Sequence, residues 1–267
     1  MADKEGGLFA RLDPRRRAVK KKQKLVDDYV SGQFAAAREV DLSYGKIPED
    51  KVPDMVLAGE MEKIRLTLEQ LDTHVFKQAV ETILSAETIY ILGIRSCAPL
   101  ASFLSFYLHQ IFPDVRLLTT NSSNEIFEQL IRIDEEDVLI GISFPRYSMR
   151  TLKAMEFANS RNAHTISITD NVHSPMNLYS SCNLIARSEL VSIVDSLTAP
   201  LALINALIVA LCMRRQKEVR RFLSDMDRNW AEFQIYQNDE MDLVAEKPDL
   251  DLIDPEPETE EGKKENR

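Results

Sequence analysis

The sequence predicts an α/β protein: a doubly wound, three-layer arrangement in which a five-stranded parallel sheet lies between two layers of helices. Two observations carry this. Five short, almost uninterrupted apolar runs alternate with helical patterns, as expected of parallel strands buried on both faces. Two of those runs also end in loops of the same construction, serine and arginine followed at once by a helix.

The elements read as follows. Residues 8–34 have an amphipathic helical pattern, and residues 43–53 break it with Gly45, Pro48 and Pro53. Helices are expected at about 54–70 and about 73–85. The second places Val75, Phe76, Ala79, Val80, Ile83 and Leu84 on one side, with Asp72 as N-cap. Strands centre on residues 89–93, 115–119, 138–143, 165–169 and 183–186. The helices between them lie near 99–111, 124–131 and 149–159, with a short turn at 175–179. Ser122-x-x-Glu125 has capping-box spacing.

The most apolar run, 197–213, contains Thr198, Pro200 and Asn205 and stops at Arg214-Arg215. It is short for a bilayer span, and its branched residues recur three and four apart, which predicts a buried core helix and no membrane partner. That helix is expected to run from Ser192 to Gln216. An amphipathic successor carries Val219, Phe222, Leu223, Met226, Trp230, Phe233 and Tyr236. The apolar surface of the two helices exceeds what one sheet face covers, so a homodimer or homotetramer is expected.

The 267 residues are 44 % hydrophobic, enough for one good core and a smaller appendage. The formal charge of −10 excludes a globally basic nucleic-acid binder but hides an asymmetry. Residues 11–24 hold Arg11, Arg15, Arg16, Arg17, Lys20, Lys21, Lys22 and Lys24 against the single acid Asp13. Such a cluster either faces solvent or tracks phosphates weakly, with Arg15, Arg16, Arg17, Lys20 and Lys21 as the DNA-contacting candidates. From Asp239 onward the chain is rich in Asp, Glu and Pro and reads as a solvated tail. Cys97, Cys182 and Cys212 are too scattered for a metal site or a disulfide framework, and no secretory signal is legible, so a cytoplasmic protein is expected. His74, His109, His164 and His173 form no triad or zinc pattern. No cofactor and no metal are expected.

The two similar loops carry the functional expectation. Residues 88–97, Thr-Ile-Tyr-Ile-Leu-Gly-Ile-Arg-Ser-Cys, lead into a helix at Ala98-Pro99, and residues 138–148, Val-Leu-Ile-Gly-Ile-Ser-Phe-Pro-Arg-Tyr-Ser, lead into another. The first amides of a helix lack carbonyl partners and carry partial positive charge, so hydroxyls and guanidiniums beside them suit a phosphate. In strand order 2-1-3-4-5 the ligand crevice lies between strands one and three, the strands that bear these loops. The candidate ligand-binding residues are Arg95, Ser96, Ser143, Arg146, Tyr147 and Ser148. Simple helix capping is the alternative for Ser96, Ser143 and Ser148.

With these residues in view, the span from about Glu81 to Met213 resembles a sugar isomerase (SIS) domain, the phosphosugar-binding module of sugar-phosphate isomerases and of bacterial transcriptional regulators of the MurR/RpiR family. The regulators' first loop is usually Gly-x-Gly-x-Ser and the second resembles Ser-x-Ser-Gly-x-Thr. Gly93, Ser143 and the hydroxyl of Ser148 keep that pattern. Arg95 replaces a glycine, Ser96 sits one place early, and Pro145 and Arg146 replace serine and glycine.

The segment 61–71 resembles the helix that joins the regulators' DNA-binding domain to the SIS domain, and residues 8–34 are similar to that domain's opening helices. The helix-turn-helix pair that should follow needs roughly 20 residues, and 35–40 runs into the linker without room for it. The expected organisation is a partial helical segment over 1–45, linker helices over 46–85, a SIS domain over 86–237 and an acidic tail over 238–267. The resemblance implies a regulator sensing a sugar phosphate, its DNA recognition weak or lost. A sugar-phosphate isomerase and a non-DNA-binding SIS dimer are the alternatives. An isomerase needs a general base, for which Glu125 and Glu189 are the carboxylates within reach of the crevice.

Overall fold

The computed structural model describes residues 48–191 and 194–233; the basic cluster with Arg15, Arg16, Arg17, Lys20 and Lys21, the helical pattern at 8–34 and the acidic tail lie outside them. Two compact units divide the chain between Val219 and Arg220. The first opens with helices α1 (Val52–Gln70) and α2 (Thr73–Ser85). Strands β1 (Ile89–Gly93), β2 (Val115–Leu118), β3 (Val138–Ile142), β4 (His164–Thr169) and β5 (Cys182–Ile185) then alternate with α3 (Ala98–Leu108), α4 (Ser123–Gln129), α5 (Met149–Ser160) and a 3-10 turn at Pro175–Leu178. Short strands β6 (Leu190–Val191) and β7 (Val194–Asp195) precede the long helix α6 (Thr198–Arg214) and α7 (Gln216–Phe233).

The sheet is parallel throughout, in the order β2-β1-β3-β4-β5, so it has the three-layer doubly wound form expected. Every residue of β1 and β3 is buried, because their side chains feed two separate cores. Ile89, Ile91, Val138, Ile140 and Ile142 face α2, α3 and α6 through Ile83, Leu104 and Leu207. Tyr90, Leu92 and Leu139 face the opposite layer, where α4 and α5 supply Ile126, Leu152 and Met155. Each fully buried branched side chain contributes about 1.5–3 kcal/mol. The apolar helix α6 buries Leu203, Ile204, Leu207, Ile208 and Leu211 in this core, and among the described residues no single helix is long and apolar enough to cross a membrane.

Of three local expectations, one holds and two do not. Asp72 caps α2 as expected, accepting from the amides of His74 and Val75. Ser122 is the N-cap of α4 but makes no side-chain cap; its amide donates to the Thr120 hydroxyl oxygen at 3.0 Å, and that hydroxyl donates to Glu125 at 2.5 Å. The helix expected from Ser192 starts at Thr198, and an antiparallel β6–β7 pair precedes it, with Leu190 opposite Asp195.

Helix α1 lies against the domain with an unusual polarity. Lys63 and Thr67 are buried, whereas Leu57, Met61 and Leu68 are 64 %, 71 % and 71 % exposed. The two buried polar side chains of α1 are both partnered, as burial requires. Lys63 Nζ donates to Glu60 at 3.0 Å, and the Thr67 hydroxyl donates to the Lys63 carbonyl and accepts the Arg187 amide at 3.0 Å. The Ser196 hydroxyl donates to the other Glu60 oxygen at 2.6 Å.

Burial pushes the Glu60 carboxyl up, but hydrogen bonds from Ser196, Thr198 and Lys63 and the Lys63 charge together hold it below the ordinary carboxylate value. A carboxyl held low in the folded state stabilises above its unfolded pKa and loses that contribution as pH falls through the folded one. Amide protection factors over α1 are therefore expected to drop on acidification through the carboxylate range. They are expected to drop at neutral pH in Ser196→Ala. Unchanged α1 protection in Ser196→Ala would show that this contact does not hold the helix.

Candidate functional site

The β1–β3 register pairs Leu92 with Gly141 and Gly93 with Ile142, so the two strands end level and their loops leave the sheet side by side. This is the point where the strand order reverses, and a cleft of about 280 Å³ opens there. Its walls include Arg95 and Ser96 from the first loop, Ser143, Arg146 and Ser148 from the second, and Asp195 from the end of β7. Five of the six expected ligand-binding residues thus meet in one cavity. Tyr147 does not line it. That side chain turns into the α4–α5 core and its hydroxyl donates to Asp170 at 2.5 Å.

The serines divide their duties. Ser143 is buried, and its hydroxyl oxygen accepts the Ser148 amide at 3.1 Å, which closes the β3 loop on itself. Ser148 is the N-cap of α5 and accepts from the Thr151 amide at 3.4 Å. Capping therefore accounts for part of what Ser143 and Ser148 do. Ser96 stands in a 3-10 turn, Arg95–Cys97, and makes no cap; it is exposed at the cleft.

Asp195 went unanticipated. Its carboxylate accepts from the Arg146 guanidinium at 3.0 Å, and the two side chains are 14 % and 35 % exposed. Burial pushes the Cys97 thiol at the cleft floor up to about 11, a backbone hydrogen bond at Phe144 works against it, and the Asp195 charge adds to the rise. A shift in that direction lowers the thiolate fraction at neutral pH. Glu125 and Glu189, the expected base candidates, do not line the cleft: Glu125 serves Thr120 and Glu189 lies 3.4 Å from Arg187. Among the described residues no cluster of His, Cys, Asp or Glu could hold a metal ion. A second cleft of about 220 Å³ shares Arg95 as a wall and runs toward the end of β2, lined by Ser102, Thr119, Thr120 and Asn121.

Residues 82–210 match the family model of the SIS domain. The chain contains a SIS domain. The sugar isomerase domain of an RpiR transcription factor from Sphaerobacter thermophilus is similar, with a TM-score of 0.64 and 26 % identity over 67 % of this chain and 99 % of that one. The NanR protein of Vibrio vulnificus, solved in complex with ManNAc-6P, gives 0.63 and 17 % identity over 75 % of each chain. The phosphoheptose isomerase GmhA from Neisseria gonorrhoeae gives 0.52 and 17 % identity over 61 % of this chain and 98 % of that one. At such identities the latter two show a common fold. Comparison with curated proteins finds no match.

The SIS loop pattern explains the most unusual backbone here. Arg95 and Arg146 have φ of 61° and 67°, in the left-handed region. Both stand where the family's loops place glycine, the residue that enters this region without steric cost. A side chain in that conformation costs about 1 kcal/mol or more per residue. Arg95→Gly is accordingly expected to leave stability unchanged or raise it by up to ~1 kcal/mol in a urea titration. A clear loss of stability would show that the arginine serves the fold.

Proposed function

We propose that this protein is a phosphosugar-binding regulator of the RpiR type, its SIS domain sensing a sugar phosphate and its DNA recognition reduced or lost. The observation that carries the reading is the convergence of Arg95 and Arg146, each in a left-handed conformation, on one cleft at the switch point of the sheet. Guanidiniums bind phosphate through paired, charge-assisted hydrogen bonds, and here they supply what fewer flexible loop amides would otherwise give. Ser96, Ser143 and Ser148 add hydroxyls around the same volume. The ManNAc-6P bound in the NanR protein and the likeness to an RpiR factor support a phosphorylated sugar as effector.

A regulator also needs the site to reach another part of the molecule. Asp195 lines the cleft and Ser196, the next residue, is bonded to Glu60 of α1, the helix that resembles the family's connector to its DNA-binding domain. Displacing Asp195 would therefore act on α1 directly. The apolar side chains that α1 turns outward, Leu57, Met61 and Leu68, support a homodimer or homotetramer as the working form.

One observation favours an isomerase as the second reading: a carboxylate, Asp195, does stand in the cleft. Its oxygen is engaged by Arg146, which speaks for binding over proton abstraction. Incubating the full chain with a panel of aldose and ketose phosphates decides between them. No interconversion is expected, and turnover abolished by Asp195→Asn would overturn the regulator reading. DNA affinity is expected to be weak, to fall steeply between low and physiological salt and to show little preference among duplexes. Footprinting that protects one operator at physiological salt would show that residues 1–47 read sequence.

A further inference from the structure

We propose that Asp195 is a specificity residue of the cleft, which restricts it to ligands carrying both an anionic group and a hydrogen-bond donor; the inference rests on the phosphosugar reading above. The Asp195 carboxylate is mostly buried and accepts from Arg146 at 3.0 Å. An anion that takes Arg146 removes that partner and brings a second negative charge beside the carboxylate. A buried acceptor left without a donor is penalised, and two like charges at close range more so. Sulfate has no donor to offer in return, and inorganic phosphate has only a hydroxyl of the same group that takes Arg146. A sugar phosphate does: while its phosphate takes Arg146, a ring hydroxyl or an amino group can donate to the released carboxylate, so both partners of the original ion pair are satisfied again.

The rest of the cleft agrees with this division. Asp195 is the only carboxylate among its described lining residues, and it faces a wall of arginine and serine. The positive side chains and hydroxyls attract any small anion, whereas the single acid discriminates among them, since specificity is a difference between affinities and a repulsive element is an efficient way to create it. A site built to hydrogen-bond a ligand rejects analogues lacking that group more strongly than a shape-selective apolar pocket does. Asp195 also sits beside Ser196, the residue bonded to Glu60, so a ligand that engages the carboxylate acts at the point where the cleft meets α1.

The test is calorimetry on the full chain with sulfate and with a panel of hexose and N-acetylhexosamine 6-phosphates, in the natural protein and in Asp195→Ala and Asp195→Asn. The natural protein is expected to prefer its best sugar phosphate over sulfate by at least about tenfold, the effect of one charged hydrogen bond. In Asp195→Ala sulfate is expected to bind tighter and the preference to shrink by a similar factor. Asp195→Asn, which keeps the size of the side chain, is expected to lie between the two. If sugar phosphates bind and neither variant changes the preference, the assignment of Asp195 is wrong while the effector reading stands. If no sugar phosphate binds the natural protein, the effector reading falls and the specificity role with it.

Discussion

Arg146→Ala is expected to weaken sugar-phosphate binding by about 10- to 100-fold, the worth of a charge-assisted hydrogen bond of roughly 1.5–3 kcal/mol. The guanidinium comes from the loop after β3 and is steered into the cleft by a backbone φ of 67° and by Asp195. Alanine removes the cation and leaves the Asp195 carboxylate unpaired at the same wall, so charge subtraction and repulsion act in the same direction. Arg146→Ala/Asp195→Ala is therefore expected to recover part of the loss, and the non-additivity of the cycle measures the coupling between the two groups. Additive losses would show that Asp195 and the ligand's anion do not share Arg146.

Gly93→Ala should produce the largest loss of stability among single-methyl changes at the site. A Cβ built there lies 2.6 Å from the Cys97 carbonyl oxygen and 2.9 Å from the Ala101 Cβ, both fixed by the 3-10 turn and α3. Neither neighbour is the flexible end of a side chain, so relief requires β1 and α3 to move apart. Overpacking of this kind costs roughly 2–3 kcal/mol, read as a lowered urea midpoint at unchanged slope. The same displacement carries Arg95, two residues on, away from Arg146, so ligand affinity is expected to fall as well. By contrast, a Cβ at Gly141 would meet the thioether ends of Met155 and Met176, which can yield. A stable Gly93→Ala protein would mean that the close approach of β1 to α3 is not needed to set the first loop.

The strands were legible because a parallel sheet covered on both faces needs continuous apolar runs, and 89–93 and 138–142 have them. Right-handed crossovers favour a doubly wound layout but do not fix strand order; the order 2-1-3-4-5, on which the place of the cleft depends, is an assumption that the sheet bears out. The β6–β7 pair was not legible: each strand is two residues long, too short to show alternation, and Val194 and Leu197 also fit the three-and-four spacing of the helix that follows. Asp195 was missed for a related reason. It is 49 residues from Arg146 in sequence and enters the cleft only because that hairpin turns the chain back before α6. The capping box at Ser122 does not form, and Thr120, outside the motif, accepts the Ser122 amide and donates to Glu125 in its place. Tyr147 is expected in the site with the rest of its loop, yet its side chain packs in the opposite core. The arginines themselves were visible, as substitutions at the family's glycine places. Their backbone conformation was not, because nothing in an Arg-Ser or Pro-Arg sequence calls for positive φ.

In the function proposed above, two strained arginines at the ends of β1 and β3 make a phosphate-reading site. Titration calorimetry of the full chain with matched pairs of phosphorylated and unphosphorylated sugars tests it most directly. Binding of at least one phosphorylated member, absent for its unphosphorylated partner and lost in Arg95→Ala/Arg146→Ala, is the predicted result. Equal binding of both members of each pair, or a sugar phosphate held as tightly after both arginines are removed, would contradict it.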